Sequence, residues 1–167
     1  MNVYVRQSYI ILYLSIRLLA TMTDHTFENK TISILGLMTG SSADGLDICF
    51  VEFSGMDYCP EFKIIFSTEL PYPDTFKTAF TNPLDLTDSQ IASFDQQLGL
   101  WFAKEIDKLG LEFDLIASHG QTIKHEPPEF SLQIGTPIFM VDKFNVPVVY
   151  DFRNADIKVG GQGAPLI

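Results

Sequence analysis

A turn rich in hydroxyls and carboxylates, Thr39-Gly40-Ser41-Ser42-Ala43-Asp44-Gly45-Leu46-Asp47, separates two apolar runs, Ile34-Leu35-Gly36-Leu37-Met38 and Ile48-Cys49-Phe50-Val51. Glycine, serine, threonine and Asp-Gly favour turns for different reasons: free φ, hydroxyl-to-backbone bonds and Asx turns. A tip of this composition offers backbone N–H groups and hydroxyls, which suit phosphate, and carboxylates, which suit the Mg2+ that travels with phosphate. Asp44 and Asp47 can hold Mg2+ directly or through water, and Gly40 to Ser42 can cradle phosphate. An ordinary β-hairpin turn has the same composition, and the residues alone leave both readings open.

Two further polar stretches follow apolar segments. His119-Gly120-Gln121-Thr122 comes directly after Leu115-Ile116-Ala117, and Asp151-Phe152-Arg153-Asn154-Ala155-Asp156 follows Val148-Val149-Tyr150. The carboxyl ends of strands are where α/β folds place ligand groups. His119 can act as a hydrogen-bonding partner or a proton shuttle, or simply bond a neighbouring backbone group at a strand end. Asp151, Arg153 and Asp156 can form an internal salt-bridge cluster; equally, Arg153 can take a ligand carboxylate bidentately. His125 and Glu126, ahead of two prolines, read as a surface loop. The sequence contains no GxxxxGK[ST] loop, GxGxxG fingerprint, GxSxG elbow or HExxH helix. Three polar segments, 39–47, 119–122 and 151–156, can converge on one rim of a mixed sheet, which is what a binding site requires.

The elements that must position them can be read from spacing. Residues 32–39, 46–54 and 62–69 alternate as a three-stranded antiparallel meander. Residues 74–81 predict a short helix, broken by Asn82-Pro83. A longer helix starts at Thr87 with Gln90 three residues on, the spacing of a capping box. Its apolar stripe runs through Ile91, Phe94, Leu98, Trp101, Phe102, Ile106 and Leu109 to a stop at Gly110; it reads as core and carries no chemistry. Strands follow at 113–118 and 131–135. A helix is predicted with Thr136 as N-cap and Pro137 in its first turn, ending near 144, and a last strand at 147–150. A meander followed by alternating helix and strand is an α/β layered domain on a mixed sheet.

At 167 residues with 46% hydrophobic and 13% aromatic content, the chain can build a core of ordinary domain size. Its formal net charge of −10 argues against nucleic-acid binding, since no basic surface is available to neutralise phosphates. Cys49 and Cys59 lack metal-ligand spacing and read as reduced thiols of a cytoplasmic protein, without zinc. The apolar run at 9–16, flanked by Arg6 and Arg17, is too short to span a membrane, for which about 20 apolar residues are needed. It imitates part of a signal peptide, or it lies ahead of a true start at Met22. With Met22 as the start, residues 1–22 are an N-terminal extension and 23–167 the domain.

Several stretches together resemble one family. Gly36-Leu37-Met38-Thr39-Gly40-Ser41-Ser42-Ala43-Asp44-Gly45-Leu46-Asp47 is similar to the Gly-x-Met-Ser-Gly-Thr-Ser-x-Asp-Gly-x-Asp signature of the anhydro-N-acetylmuramic acid kinases. Ser118-His119-Gly120-Gln121-Thr122 with His125-Glu126-Pro127 resembles their second signature. Leu132-Gln133-Ile134-Gly135, then Asp151-Phe152-Arg153-x-x-Asp156 and Gly160-Gly161-Gln162-Gly163-Ala164-Pro165-Leu166, resemble the next ones in order. The resemblance covers about 32–167, and Thr39 and Ser41 exchange one hydroxyl for another.

It implies the acetate-kinase/hexokinase/actin-like (ribonuclease H-like) fold, of which this chain would hold the first, mixed-sheet lobe. It also implies ATP and Mg2+ as cofactors, and cleavage of the 1,6-anhydro ring by water with phosphorylation of O6. Residues Gly40, Ser41, Ser42, Ala43, Asp44, Gly45, Leu46 and Asp47 would be the phosphate turn, with Asp44 near the metal. His119, Gln121, Thr122, Asp151, Arg153, Gly161 and Gln162 would line the sugar side. Partners would be the anhydro amino sugar and ATP, with a homodimer in the full-length family and neither nucleic acid nor membrane. Members run well over twice this length. The Asp-Thr-Gly-Pro-Gly-Asn stretch that carries their water-activating aspartate does not occur here. That general base is expected beyond Ile167, so no residue of this chain takes the catalytic role, and the expectation is an incomplete lobe, inactive or partial alone. The alternative is a non-catalytic single-lobe protein that binds a ligand or partner.

Overall fold

Apolar residues recur through the first three strands, and the first two bury both of their faces. In the computed structural model, which describes residues 31–39, 43–54 and 61–164, the three are β1 (Ile32–Met38), β2 (Gly45–Ser54) and β3 (Glu61–Pro71). β1 and β2 pair antiparallel from Ile32↔Phe53 to Met38↔Asp47, and β2 pairs antiparallel with β3 from Gly45↔Pro71 to Ser54↔Glu61. On its other side β1 pairs in parallel with β4 (Leu115–Ser118), which pairs in parallel with β7 (Val148–Val149). Among the described residues the sheet order is β3-β2-β1-β4-β7. The fold is therefore mixed α/β, with β1 at the centre of the sheet.

Leu35, Leu37, Ile48 and Ile116 point into the larger core, while Ile32, Ile34, Val51, Leu115 and Ala117 face the second, smaller one. The larger core is capped by α1 (Asp74–Thr81) and α2 (Asp88–Leu109). α2 begins with the predicted capping box, Thr87 with Gln90, and ends at Gly110 in the left-handed region, φ 61°. Tyr72, Phe76, Phe80, Phe94 and Trp101 interlock edge-to-face beneath these helices, with Tyr72 and Trp101 ring centroids 5.3 Å apart. The aromatic stripe is core, as its spacing predicts.

The second half departs from the sequence reading in three places. The segment after His119 is a loop for only one further residue. Gln121 opens β5 (Gln121–Glu126), which pairs with β6 (Phe130–Ile134) in a separate hairpin, so His125 and Glu126 are strand residues. Thr136 is not an N-cap: α3 (Ile138–Phe144) starts from Pro137, which is already helical at φ −72°, ψ −11° and has no side chain to cap with. Residues 151–156 are not a loop either, for Phe152 opens α4 (Phe152–Lys158). The proposed boundary at residue 22, Cys59 and the terminal Ile167 lie outside the described residues, whereas Cys49 is a free, half-buried thiol. Among the described residues no helix is long and apolar enough to cross a membrane.

Candidate functional site

β4 is buried along its whole length and delivers His119 to the carboxyl end of the sheet, where the His119 N–H continues the ladder to Leu37 O at 3.0 Å. Gly120 makes the turn that follows at φ 72°, against the backbone of Ile134, where a Cβ would collide. His119 is buried. Its Nδ1 lies 2.8 Å from Gly120 O and its Nε2 lies 2.9 Å from Arg153 Nε. Arginine only donates, so Nε2 accepts and Nδ1–H donates to the carbonyl. The imidazole is therefore neutral. Burial and the adjacent Arg153 charge push its pKa down to about 4, against a smaller upward pull from the Gly120 carbonyl. With both ring nitrogens committed, His119 acts as a hydrogen-bonding partner here rather than a proton shuttle.

Arg153 and its neighbours do not form the salt-bridge cluster that spacing allowed. Asp151, Arg153 and Asp156 each bond something other than one another. Arg153 Nη1 donates to Gly163 O at 3.2 Å, and Asp156 Oδ2 accepts from Gly163 N at 2.8 Å. Gly161 packs so closely on the Asp156 carboxylate that a Cβ would overlap it. The two side chains thus fold the 160–163 turn back on α4. Gln162 is exposed at the tip of that turn. Asp151 sits in the left-handed region at φ 62°, and its Oδ1 accepts from Asn154 Nδ2 at 2.6 Å. Asn154 also grips the β6 backbone in both directions, donating to Ser131 O at 2.7 Å and accepting from Ser131 N at 2.8 Å.

These contacts border an open cavity of about 310 Å³ lined by both polar and apolar groups. His119 and Asp151 line it, together with residues that the sequence reading did not single out as ligand groups: Asp95, Ser118, Ser131, Gln133, Tyr150 and Asn154. Gln133 and Ser118 were legible in the quoted signatures; Asp95, on the helix read as core, was not. Ser118 Oγ and Gln133 Oε1 are buried without a hydrogen-bond partner among the described residues, and both residues line the cavity. The Gln133 Nε2 donates to Ser131 Oγ at 2.6 Å and more weakly to Thr122 Oγ1 at 3.4 Å. Gln121 is buried, and its Oε1 accepts from Tyr72 OH at 3.2 Å, so it braces the hairpin from behind.

The acidic turn lies alongside. Thr39 Oγ1 donates to Gly120 O at 2.6 Å, and Tyr72 N donates to Asp44 O at 2.9 Å. These bonds tie the β1–β2 connection to the His119 turn and to the end of β3. Asp44 is exposed and Asp47 half-buried, opposite Glu69 in the β2–β3 register. Burial, then Glu69, then Asp44 raise the Asp47 pKa, so negative charge is crowded here. A divalent cation relieves such crowding, and the donor set fits Mg2+. Among the described residues no group of three His, Cys, Asp or Glu could hold a metal ion, so Asp44 and Asp47 would need oxygens from phosphate and water to complete its shell. Ala43 adopts φ 53°, and Gly45 packs against the Leu70 backbone, where a Cβ would collide. The Leu46 side chain is wholly buried in the core, so only its backbone faces any ligand. Gly40, Ser41 and Ser42 lie outside the described residues. No carboxylate of the described cavity is assigned a general-base role.

A family model described as anhydro-N-acetylmuramic acid kinase matches residues 32–167. The protein of that name from Bacillus cereus (strain Q1) is 37% identical over 150 residues, covering 80% of this chain and 39% of its own length. That from Gloeothece citriformis (strain PCC 7424) is 36% identical over 151 residues, with coverages of 80% and 39%. That from Acaryochloris marina (strain MBIC 11017) is 34% identical over 145 residues, covering 80% of this chain and 38% of its own. The chain thus spans about two fifths of the length of these relatives. With the matched region reaching from β1 through the 160–163 turn, and a mixed-sheet lobe of the kind that region implies, the chain belongs to the anhydro-N-acetylmuramic acid kinase family.

Proposed function

We propose that this chain supplies the first lobe of an ATP-dependent kinase acting on 1,6-anhydro-N-acetylmuramic acid. The reaction opens the anhydro ring with water and phosphorylates O6, giving N-acetylmuramic acid 6-phosphate in the cytoplasmic recycling of peptidoglycan. The observation that carries the reading is the Thr39 Oγ1 bond to Gly120 O at 2.6 Å, which joins an acidic turn suited to Mg2+ and phosphate to a sugar-sized cavity with several polar side chains in its wall. Bound Mg-ATP supplies the phosphoryl group. Asp44 and Asp47 would hold the cation, and the N–H and hydroxyl groups within residues 40–47 would receive the phosphates. Ser131, Gln133, Asp151 and Asn154 receive the hydroxyl and amide groups of the sugar, and Arg153, bonded to His119 Nε2 but not lining the cavity, holds the imidazole in its wall. The Asp-Thr-Gly-Pro-Gly-Asn stretch does not occur in the sequence given, so no residue named here is proposed to activate water, and together these residues make a binding half-site.

Calorimetric titration with the anhydro sugar, run beside a coupled assay for ADP release, tests the proposal on the 167-residue chain. Weak sugar binding without turnover is expected. Failure to bind the sugar would remove the proposed site, and turnover at rates typical of an efficient enzyme would remove the half-site argument. A non-catalytic, partner-binding protein is the second reading, favoured by the exposed Ile64, Ile65 and Phe66 of β3.

A further inference from the structure

One residue of α2, a helix that reads from its sequence as pure core, reaches the cavity. Asp95 is half-buried, and its Oδ1 accepts from Gly135 N at 2.8 Å while its backbone carbonyl accepts from Thr136 N at 3.3 Å. One helical turn on, Gly99 lets α2 touch the same segment, since a Cβ there would collide with Thr136 O. These contacts fix the Asp95 carboxylate in the cavity wall and leave Oδ2 with no hydrogen-bond or ion-pair partner among the described residues. Asp151 has the same form: Oδ1 is held by Asn154 and Oδ2 is unpartnered among the described residues. Ser118, only 2% exposed, lines the same cavity with its hydroxyl oxygen unbonded among the described residues. No lysine or arginine lines the cavity among the described residues.

Two carboxylates without a cation, each half-anchored by an amide, make a space poor for anions and good for hydrogen-bond donors. We infer that Asp95 is a specificity-determining residue of this cavity, its Oδ2 accepting a hydrogen bond from a ring hydroxyl or amide N–H of a neutral, polyhydroxylated ligand portion that Asp151 also receives. The inference rests on the sugar-site reading and deepens it: the ring sits among the carboxylates, and any acidic substituent of the substrate projects out of the cavity.

The test is calorimetric titration of the full 167-residue chain with 1,6-anhydro-N-acetylmuramic acid and with 1,6-anhydro-N-acetylglucosamine, which lacks the lactyl carboxylate. The wild type is compared with Asp95→Asn and Asp95→Ala, and each is melted in parallel. Asp95→Asn keeps an oxygen for the Gly135 N–H and replaces the open acceptor with a donor. It is expected to melt close to wild type yet bind both sugars at least about tenfold more weakly, the loss of one charged hydrogen bond. Asp95→Ala is expected to lose stability as well as binding. Wild-type affinity in Asp95→Asn for both sugars overturns the inference while leaving the sugar site standing. A loss confined to the lactyl sugar overturns it too, because Asp95 would then be answering the acidic arm. Absence of binding by the wild type to either sugar overturns the site reading and this inference together.

Discussion

His119 and Arg153 are 34 positions apart and meet through a single bond that fixes which ring nitrogen of the histidine accepts. Burial and the neighbouring guanidinium keep the imidazole neutral, so the folded chain refuses a proton that the unfolded chain accepts near the ordinary histidine pKa. Between about pH 6.5 and about pH 4 the unfolded state binds the extra proton, and stability falls as the pH is lowered through that window. His119→Gln retains an acceptor for Arg153 without the titration. Its loss of stability on acidification, measured by denaturant melts at several pH values, should be shallower than wild type by up to about 3 kcal/mol. Parallel pH profiles in the two proteins would count against a depressed His119. The sequence put His119 beside a ligand loop but could not choose its role, because the choice depends on which nitrogen faces Arg153, and only the fold brings that side chain over.

At the scale of elements, the strongest local signals were legible. Thr87 with Gln90 started α2, Gly110 ended it, and the alternation at 32–54 gave β1 and β2 nearly to the residue. What escaped were elements held by tertiary bonds. α4 has no side-chain cap, and its start is fixed by Asn154 clasping Ser131 across the fold, which no local pattern announces. Asp95 escaped because a single acid on a helix ordinarily marks the solvated face, and its true environment is set by the turn after β6. The α2 contact with that turn is tight enough to test directly. Gly99→Ala should destabilise the fold by about 1–3 kcal/mol, read by thermal or denaturant unfolding, because the added methyl meets backbone rather than a yielding side chain. It should also weaken sugar binding by shifting the cavity wall at Gly135 and Thr136.

For the whole molecule, the sheet has two unequal edges. β3 forms one edge, with Ile64, Ile65 and Phe66 exposed at 39%, 42% and 37%. Ile65 sits at a bulge between the pairs Phe50↔Phe66 and Val51↔Ile64, a device that discourages strand addition, and Lys63 and Glu69 add charge. The apolar exposure still predicts self-association. Sedimentation velocity over a concentration series should show it, and Ile64→Lys should reduce it; a wild type that stays monomeric throughout the series would remove the prediction. At the centre, β1 is bonded on both sides, by β2 along its full length and by β4 at residues 34–37. Fluctuations that open the molecule from either edge must strip away a neighbour before they reach it. Deuterium should therefore enter the β3 amides first and those of β1 last, so that the strand leading into the acidic turn serves as the slowest clock in the domain.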